Sequence, residues 1–287
     1  MNVLFMGGNE LGGITLNHLV LNSINIVGVV ISETNDSWYS GVDVVANKYN
    51  IPIYKEKDVN SSDFLESIDN LDLDLILCVN FNQILKKEII SIPKIGCINT
   101  HASLLPKYRG RAPLNWAMIN GEKYTGVTVH FIDDGIDTGD ILLQEKIEID
   151  EYDYISDLLE KVKHVYPNIV LKSIKLLESN DFKLTTPDLS KGFYVSKRNK
   201  YDGKIDFSKG SKEILNFIKA ISKPYPGAFI YYGSKTLVIW RAHLDSSLLN
   251  NYKNYSVGDI IIEDKFLIKL KDSILVIDEH SFEQINF

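Results

Sequence analysis

The sequence predicts a doubly wound α/β fold with a smaller β-rich domain behind it, and three observations carry that expectation. Short β-branched runs alternate with helical patterns through the first half of the chain, the rhythm of βαβ units around a mostly parallel sheet covered on both faces. Composition changes after Asn180, where short strands punctuated by turn residues take over. At 287 residues, 45% hydrophobic and 24% charged, the chain is long enough for one large and one small domain, each with its own core.

Taken in order, residues 3–6 form a continuous apolar strand, and the apolar spacing of residues 11–21 suits a helix. Ile26–Ser32 is a second strand, residues 43–49 a helix, residues 51–54 a short extended piece and residues 63–68 another helix. A buried strand over 73–79, a short helix over 86–90 and a strand over 96–100 follow. Residues 111–120 read as a helix, 126–132 and 140–149 as strands, and 154–178 as a long helix that Pro167 bends or splits, because proline lacks the N–H an interior turn needs. These elements make a Rossmann-like domain over residues 1–190. Residues 191–287 hold one helix, 212–221, and short strands with turns at 224–227, 233–234 and 258–259, a small β-rich domain of OB-like build.

Charge and cysteine usage narrow the function. A net charge of −7 counts against wrapping a nucleic acid, since phosphate binding draws on clustered Lys and Arg. Cys78 and Cys97 stand alone, without C-x-x-C or ligand-like His spacing, so no disulfide framework and no metal site is expected. Met1 leads directly into Val3-Leu4-Phe5-Met6 with no basic start or cleavage site, and no apolar stretch reaches the roughly 18 residues of a membrane span. The expectation is a cytoplasmic enzyme.

The chemistry concentrates between Ile98 and Leu142. Asn99 and His101 are one residue apart at the end of a strand, so their side chains project to the same side and can meet one reacting group. An amide and an imidazole together suit acyl transfer: Asn99 can donate to a developing oxyanion, and His101 can take the proton of an attacking amine and return it to the leaving nitrogen. A carboxylate would orient the ring and favour its protonated form. Asp137, in the turn-rich run Asp133-Asp134-Gly135-Ile136-Asp137-Thr138-Gly139, is the best-placed candidate. The same Asn-x-His spacing also fits a solvated loop start, so spacing alone leaves the role open.

The run resembles the folate-dependent formyltransferase family, which includes methionyl-tRNA formyltransferase and the nucleotide-sugar N-formyltransferases. The resemblance rests on Asn99-Thr100-His101, on Ser103-Leu104-Leu105-Pro106-Lys107-Tyr108-Arg109-Gly110, on Asn120-Gly121-Glu122, on Thr125-Gly126-Val127-Thr128 and on Asp137-Thr138-Gly139-Asp140. It implies that Asn99 stabilises the transition state, His101 transfers the proton, Asp137 raises the histidine pKa, and the formyl donor is 10-formyltetrahydrofolate with no metal. Arg111-Ala112-Pro113-Leu114-Asn115-Trp116, Asp202-Gly203-Lys204-Ile205-Asp206 and Lys223-Pro224-Tyr225-Pro226-Gly227-Ala228-Phe229 resemble most the part that acts on UDP-4-amino-4-deoxyarabinose. By that likeness the folate is held by Gln83-Ile84-Leu85, by Arg111 and by the loop of Asp133, Asp134, Gly135, Ile136 and Asp137.

Among acceptors, a nucleotide-linked amino-dideoxy sugar, dTDP- or UDP-linked with the amine at C3 or C4 and used in surface polysaccharide such as lipopolysaccharide O-antigen, is the leading expectation. Methionyl-tRNA is the alternative, disfavoured because charges beyond Tyr201 are balanced. The aminoarabinose enzyme is another, disfavoured because its relatives carry a fused dehydrogenase domain and this chain stops at Phe287. The family implies a homodimer. The loop Gly7-Gly8-Asn9-Glu10-Leu11-Gly12-Gly13 departs from G-x-G-x-x-G at Asn9, which counts against NAD and a Rossmann oxidoreductase. Gly8 and Asn9 are instead expected to meet the phosphates of the sugar nucleotide. Tyr108 and Arg109 are expected on the substrate as well, Arg109 also fitting a conformational turn. A nucleotide-binding regulatory protein on the same scaffold is the non-enzymatic alternative. Glu33 is read as a solvated loop charge. His18, His130, His164, His243 and His280 are read as surface or packing residues, and Tyr231, Tyr232 and Trp240 as packing of the second domain.

Overall fold

The computed structural model describes residues 1–32 and 41–284, which fall into two compact units. The first comprises Met1–Gly110, Gly126–Ile147 and Lys161–Tyr194; the second comprises Arg111–Thr125, Glu148–Glu160 and Val195–Phe287. Glu33 lies outside the described residues.

In chain order the elements are β1 (Val3–Gly7), α1 (Asn9–Leu21), β2 (Ile26–Ser32), α2 (Val42–Lys48), β3 (Ile53–Glu56), α3 (Ser62–Asp69) and β4 (Leu75–Val79). Then come α4 (Lys87–Ile90), β5 (Gly96–His101), β6 (Arg109–Gly110), α5 (Pro113–Ile119), β7 (Tyr124–Phe131), β8 (Ile141–Glu148) and α6 (Ile155–Ser179). The tail adds β9 (Tyr194–Val195), α7 (Ser211–Ile221), β10 (Ala228–Tyr232), β11 (Lys235–Asp245), β12 (Ile260–Ile262), β13 (Phe266–Lys269) and β14 (Ile274–Gln284).

The first unit is built on a seven-stranded sheet of order β3-β2-β1-β4-β5-β7-β8. Its first five strands are parallel, and β7 runs antiparallel to β5, so the sheet is mostly parallel as the alternating pattern predicts. β1 and β4 carry apolar residues at every position because both faces are covered, and every one of those residues is buried. The order reverses beside β1, and ligands of such sheets lie beyond the carboxyl ends of strands at that point.

The second unit contains α5, α7 and a five-stranded antiparallel sheet of order β10-β11-β14-β13-β12. The sheet is open, with β10 and β12 as edges. The Asn115 amide of α5 donates to the Ala220 carbonyl of α7 at 2.8 Å. Tyr232 packs edge-on against Phe266 and the Trp240 Nε1–H bonds Ser281 Oγ, which makes both packing residues; Tyr231 is half exposed, with Lys204 over its ring.

Two local expectations change. The helix expected over 111–120 begins at Pro113, because Ala112 sits in the left-handed region at φ 53° and cannot be helical, while proline at the first turn gives up no bond. The long helix is not split: α6 runs unbroken through Pro167. An interior proline costs about 3 kcal/mol. Ile155, Leu158, Val162, Tyr166, Ile169, Val170, Ile174 and Leu177 are all buried at helical spacing, and each contributes about 1.5–3 kcal/mol, so continuity wins.

Candidate active site

Asn99 and His101 lie at the carboxyl end of β5, facing one side because the pleat has period two. The antiparallel register of β7 sets His130 opposite Asn99 and Thr128 opposite His101. Directly opposite residues share a face, so four polar side chains gather there. Asp137 enters from the loop between β7 and β8, in the left-handed region at φ 53°.

His101 is buried, with Nε2 2.8 Å from the Tyr108 carbonyl and Nδ1 3.5 Å from Asp137 Oδ2. A carbonyl only accepts, so Nε2 carries the proton and Nδ1 is the atom free to act as a base. Burial pushes the His101 pKa below its usual value; the Asp137 charge and the Tyr108 carbonyl pull the other way without overcoming it, and His130 adds to the lowering. The resemblance implies an aspartate that raises the histidine pKa, and Asp137 does act in that direction here.

Asp137 Oδ2 accepts the Gly110 N–H at 2.8 Å, and Oδ1 accepts the Asn99 amide at 3.4 Å. Burial raises its carboxyl pKa, but the contact with His130, the charge of His101 and the Gly110 N–H together outweigh burial and hold it at about 2. The carboxylate is therefore charged throughout the physiological range.

The turn 103–110 that supplies Tyr108 and Gly110 is pinned by side chains. Thr128 Oγ1 donates to the Ser103 carbonyl at 2.6 Å and accepts the Leu105 N–H, Gln144 donates to the Leu105 carbonyl, and Ser103 Oγ donates to the Lys107 carbonyl. Tyr108 is left-handed at φ 59° and Gly110 stands at φ 99°, a conformation that favours glycine. Across the Asp137 loop, Asp133 accepts from the Gly135 N–H and the Thr138 hydroxyl, and Gly139 leaves no room for a side chain, since a Cβ there would stand 2.0 Å from the Phe131 oxygen.

The other residues singled out by sequence sit as follows. Gln83 follows β4 with its amide committed to protein: Oε1 accepts the Val59 N–H, and Nε2 donates to Ser32 Oγ and the Glu56 carbonyl. What it can offer a ligand is backbone. Ile84 is an exposed aliphatic side chain, its carbonyl bonded by Asn60, and Leu85 is buried. Asp134, Gly135 and Ile136 are exposed along the loop that ends at Asp137. Gly8 is buried, its N–H bonding the Val79 carbonyl; Asn9 is left-handed at φ 53°, and its Oδ1 accepts the Leu11 N–H and the Asn80 amide. Gly8, Asn9 and Gln83 thus follow β1 and β4, whose carboxyl ends lie beside that of β5. Arg109 Nε is buried with no hydrogen-bond partner. Arg111 belongs to the second unit, exposed, its N–H on the Val195 carbonyl.

His130, read from the sequence as a surface or packing residue, is buried and also faces the Asn99 and Asp137 side chains. It is 2% exposed, donates from Nδ1 to the Phe131 carbonyl at 2.8 Å, and sets Nε2 3.3 Å from Asn99 Nδ2 and 3.5 Å from Asp137 Oδ1. The signal was present in Thr128-x-His130, the same spacing as Asn99-x-His101, but it becomes meaningful only once β7 is known to pair with β5.

Among the described residues no group of three or more His, Cys, Asp and Glu could hold a metal, and no helix is long and apolar enough to cross a membrane.

Residues 1–174 match the formyl transferase family and residues 197–286 match the formyl transferase C-terminal domain. A methionyl-tRNA formyltransferase of Clostridioides difficile (strain 630) is 34% identical, over 97% of this chain and 91% of that protein. The bifunctional polymyxin resistance protein ArnA of Wigglesworthia glossinidia brevipalpis is 33% identical over all of this chain but only 44% of its own length. Among solved structures, WlaRD, a sugar 3N-formyl transferase crystallised in the presence of dTDP and 5-N-formyl-THF, is 25% identical with a TM-score of 0.72, covering 100% of this chain and 98% of that one. An N-formyltransferase from Helicobacter canadensis, in complex with folinic acid and dTDP-3-aminofucose, shares the fold at 24% identity and a TM-score of 0.74, covering 97% of this chain and 99% of that one.

Proposed function

Because this chain belongs to the formyl transferase family, we propose that it moves a formyl group from 10-formyltetrahydrofolate to the amine of a nucleotide-linked amino-dideoxy sugar used in surface polysaccharide synthesis. The observation that carries the chemistry is the cluster in which half-buried Asn99 and Asp137 and buried His101 lie within reach of one another. The folate supplies the formyl group. His101 Nδ1 takes a proton from the attacking amine, and the resulting imidazolium is held between the Tyr108 carbonyl and the Asp137 carboxylate. One C–N bond forms to the amine as the C–N bond to the folate breaks, and His101 returns its proton to the leaving nitrogen. Asn99 Nδ2 gives up its long 3.4 Å contact with Asp137 to donate to the formyl oxygen as that oxygen gains charge.

The residues present fit a folate. Exposed Ile84 and Ile136 provide apolar cover for a flat ring on the two segments proposed to hold it, and the backbone of 83–85 and 133–136 provides polar edges. Gly8 and Asn9, at the start of α1, are proposed for the phosphates of the sugar nucleotide, with Tyr108 and the unpartnered Nε of Arg109 beside the reaction centre. The proposed protein acts in the cytoplasm as a homodimer.

A sugar acceptor is supported by the likeness to WlaRD and by charge: from Tyr201 to Phe287, eleven Lys and Arg face eleven Asp and Glu. A second reading, methionyl-tRNA as acceptor, is favoured by the curated relatives and by residues 183–223, where ten Lys and Arg stand against four Asp and Glu. The deciding experiment supplies 10-formyltetrahydrofolate with a panel of dTDP-, UDP- and GDP-linked 3-amino and 4-amino sugars, and separately with charged initiator tRNA. Formylation of a sugar alone supports the proposal. Formylation of the tRNA alone replaces the acceptor, and formylation of nothing overturns the activity.

A further inference from the structure

We infer that His130 is a positioning residue for the formyl transfer, locking the Asn99 amide so that its nitrogen faces the reacting oxygen; the inference rests on the activity proposed above. Asn99 can assist the reaction only with its N–H end, and an amide turned over would present an oxygen to the developing negative charge. Something must therefore fix which end points where.

Hydrogen-bond polarity at His130 does this. Nδ1 lies 2.8 Å from the Phe131 carbonyl, which can only accept, so Nδ1 carries the proton. In the neutral ring Nε2 is then a lone pair, and the atom facing it at 3.3 Å must be a donor. Asn99 Nδ2 meets that need, and its second N–H points to Asp137 Oδ1 at 3.4 Å. Turning the amide would bring Asn99 Oδ1 against the Nε2 lone pair and the Asp137 carboxylate, three acceptors together in a buried site. One N–H stays on His130 while the other is released to substrate.

The lock depends on where the His130 proton sits. A proton on Nε2 would turn that atom toward Asp137 Oδ1, 3.5 Å away, and away from the Asn99 amide nitrogen. The register Asn99↔His130 makes the pairing direct, across one rung of the ladder.

Two measurements test this. In protein labelled with ¹⁵N-histidine, NMR at pH 7 is expected to show His130 protonated on Nδ1 and bare on Nε2; a ring protonated on Nε2 overturns the inference whatever the enzyme does in turnover. In kinetics, His130→Phe is expected to lower kcat about tenfold or more with each KM within about threefold, less than the ~10²–10³-fold expected for Asn99→Ala. His130→Gln, whose Oε1 can occupy the acceptor position of Nε2, is expected to recover most of the loss. In an Asn99→Ala background, His130→Phe is expected to cost nothing further. An undiminished penalty in that background shows that His130 does not act through Asn99. Absence of formyl transfer by the unmodified protein to any acceptor overturns the activity, while the NMR result still decides the tautomer.

Discussion

Replacing Asp137 by Asn preserves shape and an acceptor for the Gly110 N–H, but removes the charge that stands 3.5 Å from both His101 Nδ1 and His130 Nε2. The carboxyl is held at about 2 against an ordinary 3.8, and it is nearly buried, so solvent screens the interaction little. A carboxyl lowered that far contributes about 2.5 kcal/mol while His101 and His130 carry the protons that lower it. Because the folded pKa is depressed, this stabilisation drains away as pH falls from about 4 toward 2, and it shrinks again once the imidazoles are neutral. Urea unfolding of the two proteins is expected to differ most, by up to about 2.5 kcal/mol, at about pH 5, less at pH 7, and to converge near pH 2. Turnover is expected to fall at least ~10²-fold, since the imidazolium formed during proton transfer loses its counter-charge. The acid limb of kcat/KM is expected to move to lower pH, because an Asn no longer favours protonated His101. Equal stabilities at about pH 5 together with an unmoved limb would refute the electrostatic role.

Three further outcomes are expected. In the unmodified protein, burial depresses the His101 pKa, so kcat/KM is expected to lose activity only below about pH 6.5, the ordinary histidine value, as the base becomes protonated; a limb centred well above that value contradicts the burial argument. Gly139→Ala forces the Asp137 loop away from the Phe131 oxygen and is expected to lower kcat about tenfold or more with the fold intact by circular dichroism, a normal kcat arguing that the loop can relax freely. Gln83→Leu removes the acceptor of the Val59 N–H, at about 1–3 kcal/mol for a buried group left unpaired, and is expected to raise the folate KM more than it lowers kcat. A folate KM unchanged in that variant would detach the 83–85 backbone from folate binding.

The parallel part of the sheet was legible because the same residues that bury both of its faces, Val3-Leu4-Phe5-Met6 and Leu75-Ile76-Leu77-Cys78-Val79, write continuous apolar runs. The candidate site was legible in a different way. Asn99 and His101 declare themselves through strand period, whereas Asp137 is joined to them only by a loop whose geometry depends on Gly139 fitting against Phe131 and on Gly110 offering its N–H. Motif likeness supplied that link, and spacing could not. His130 escaped because its meaning is non-local: it depends on β7 pairing antiparallel with β5 in a sheet whose other known pairings beside β1, β2 and β4 are parallel. Pro167 misled in the opposite direction, since local propensity lost to an apolar face that a proline-centred reading does not weigh.

The acceptor is a harder case for a physical reason. Formyl transfer asks the same things of the protein whether the amine belongs to a sugar or to a methionine: a base at Nδ1, a counter-charge, and a donor for the formyl oxygen. Residues 96–140 are therefore proposed to carry the chemistry and little of the choice between acceptors. Choice must come from groups that touch the rest of the substrate, and these make opposite electrostatic demands. A sugar nucleotide needs one local site for two phosphates, which a helix N-terminus such as that of α1 can furnish with backbone alone; a tRNA needs many separated cations. The two demands map to different residues, Gly8 and Asn9 on one side and the Lys-rich run 183–223 on the other. Substituting Asn9 by Asp, which tolerates the same left-handed backbone and sets a negative charge where the phosphates are proposed to lie, should therefore raise the KM for a sugar nucleotide while leaving formylation of a tRNA untouched. Reversing Lys197, Arg198 and Lys200 to Glu should do the converse, with the salt dependence of tRNA use falling as well. A chain in which both sets weakened the same acceptor equally would break the separation of chemistry from choice on which the sugar assignment depends.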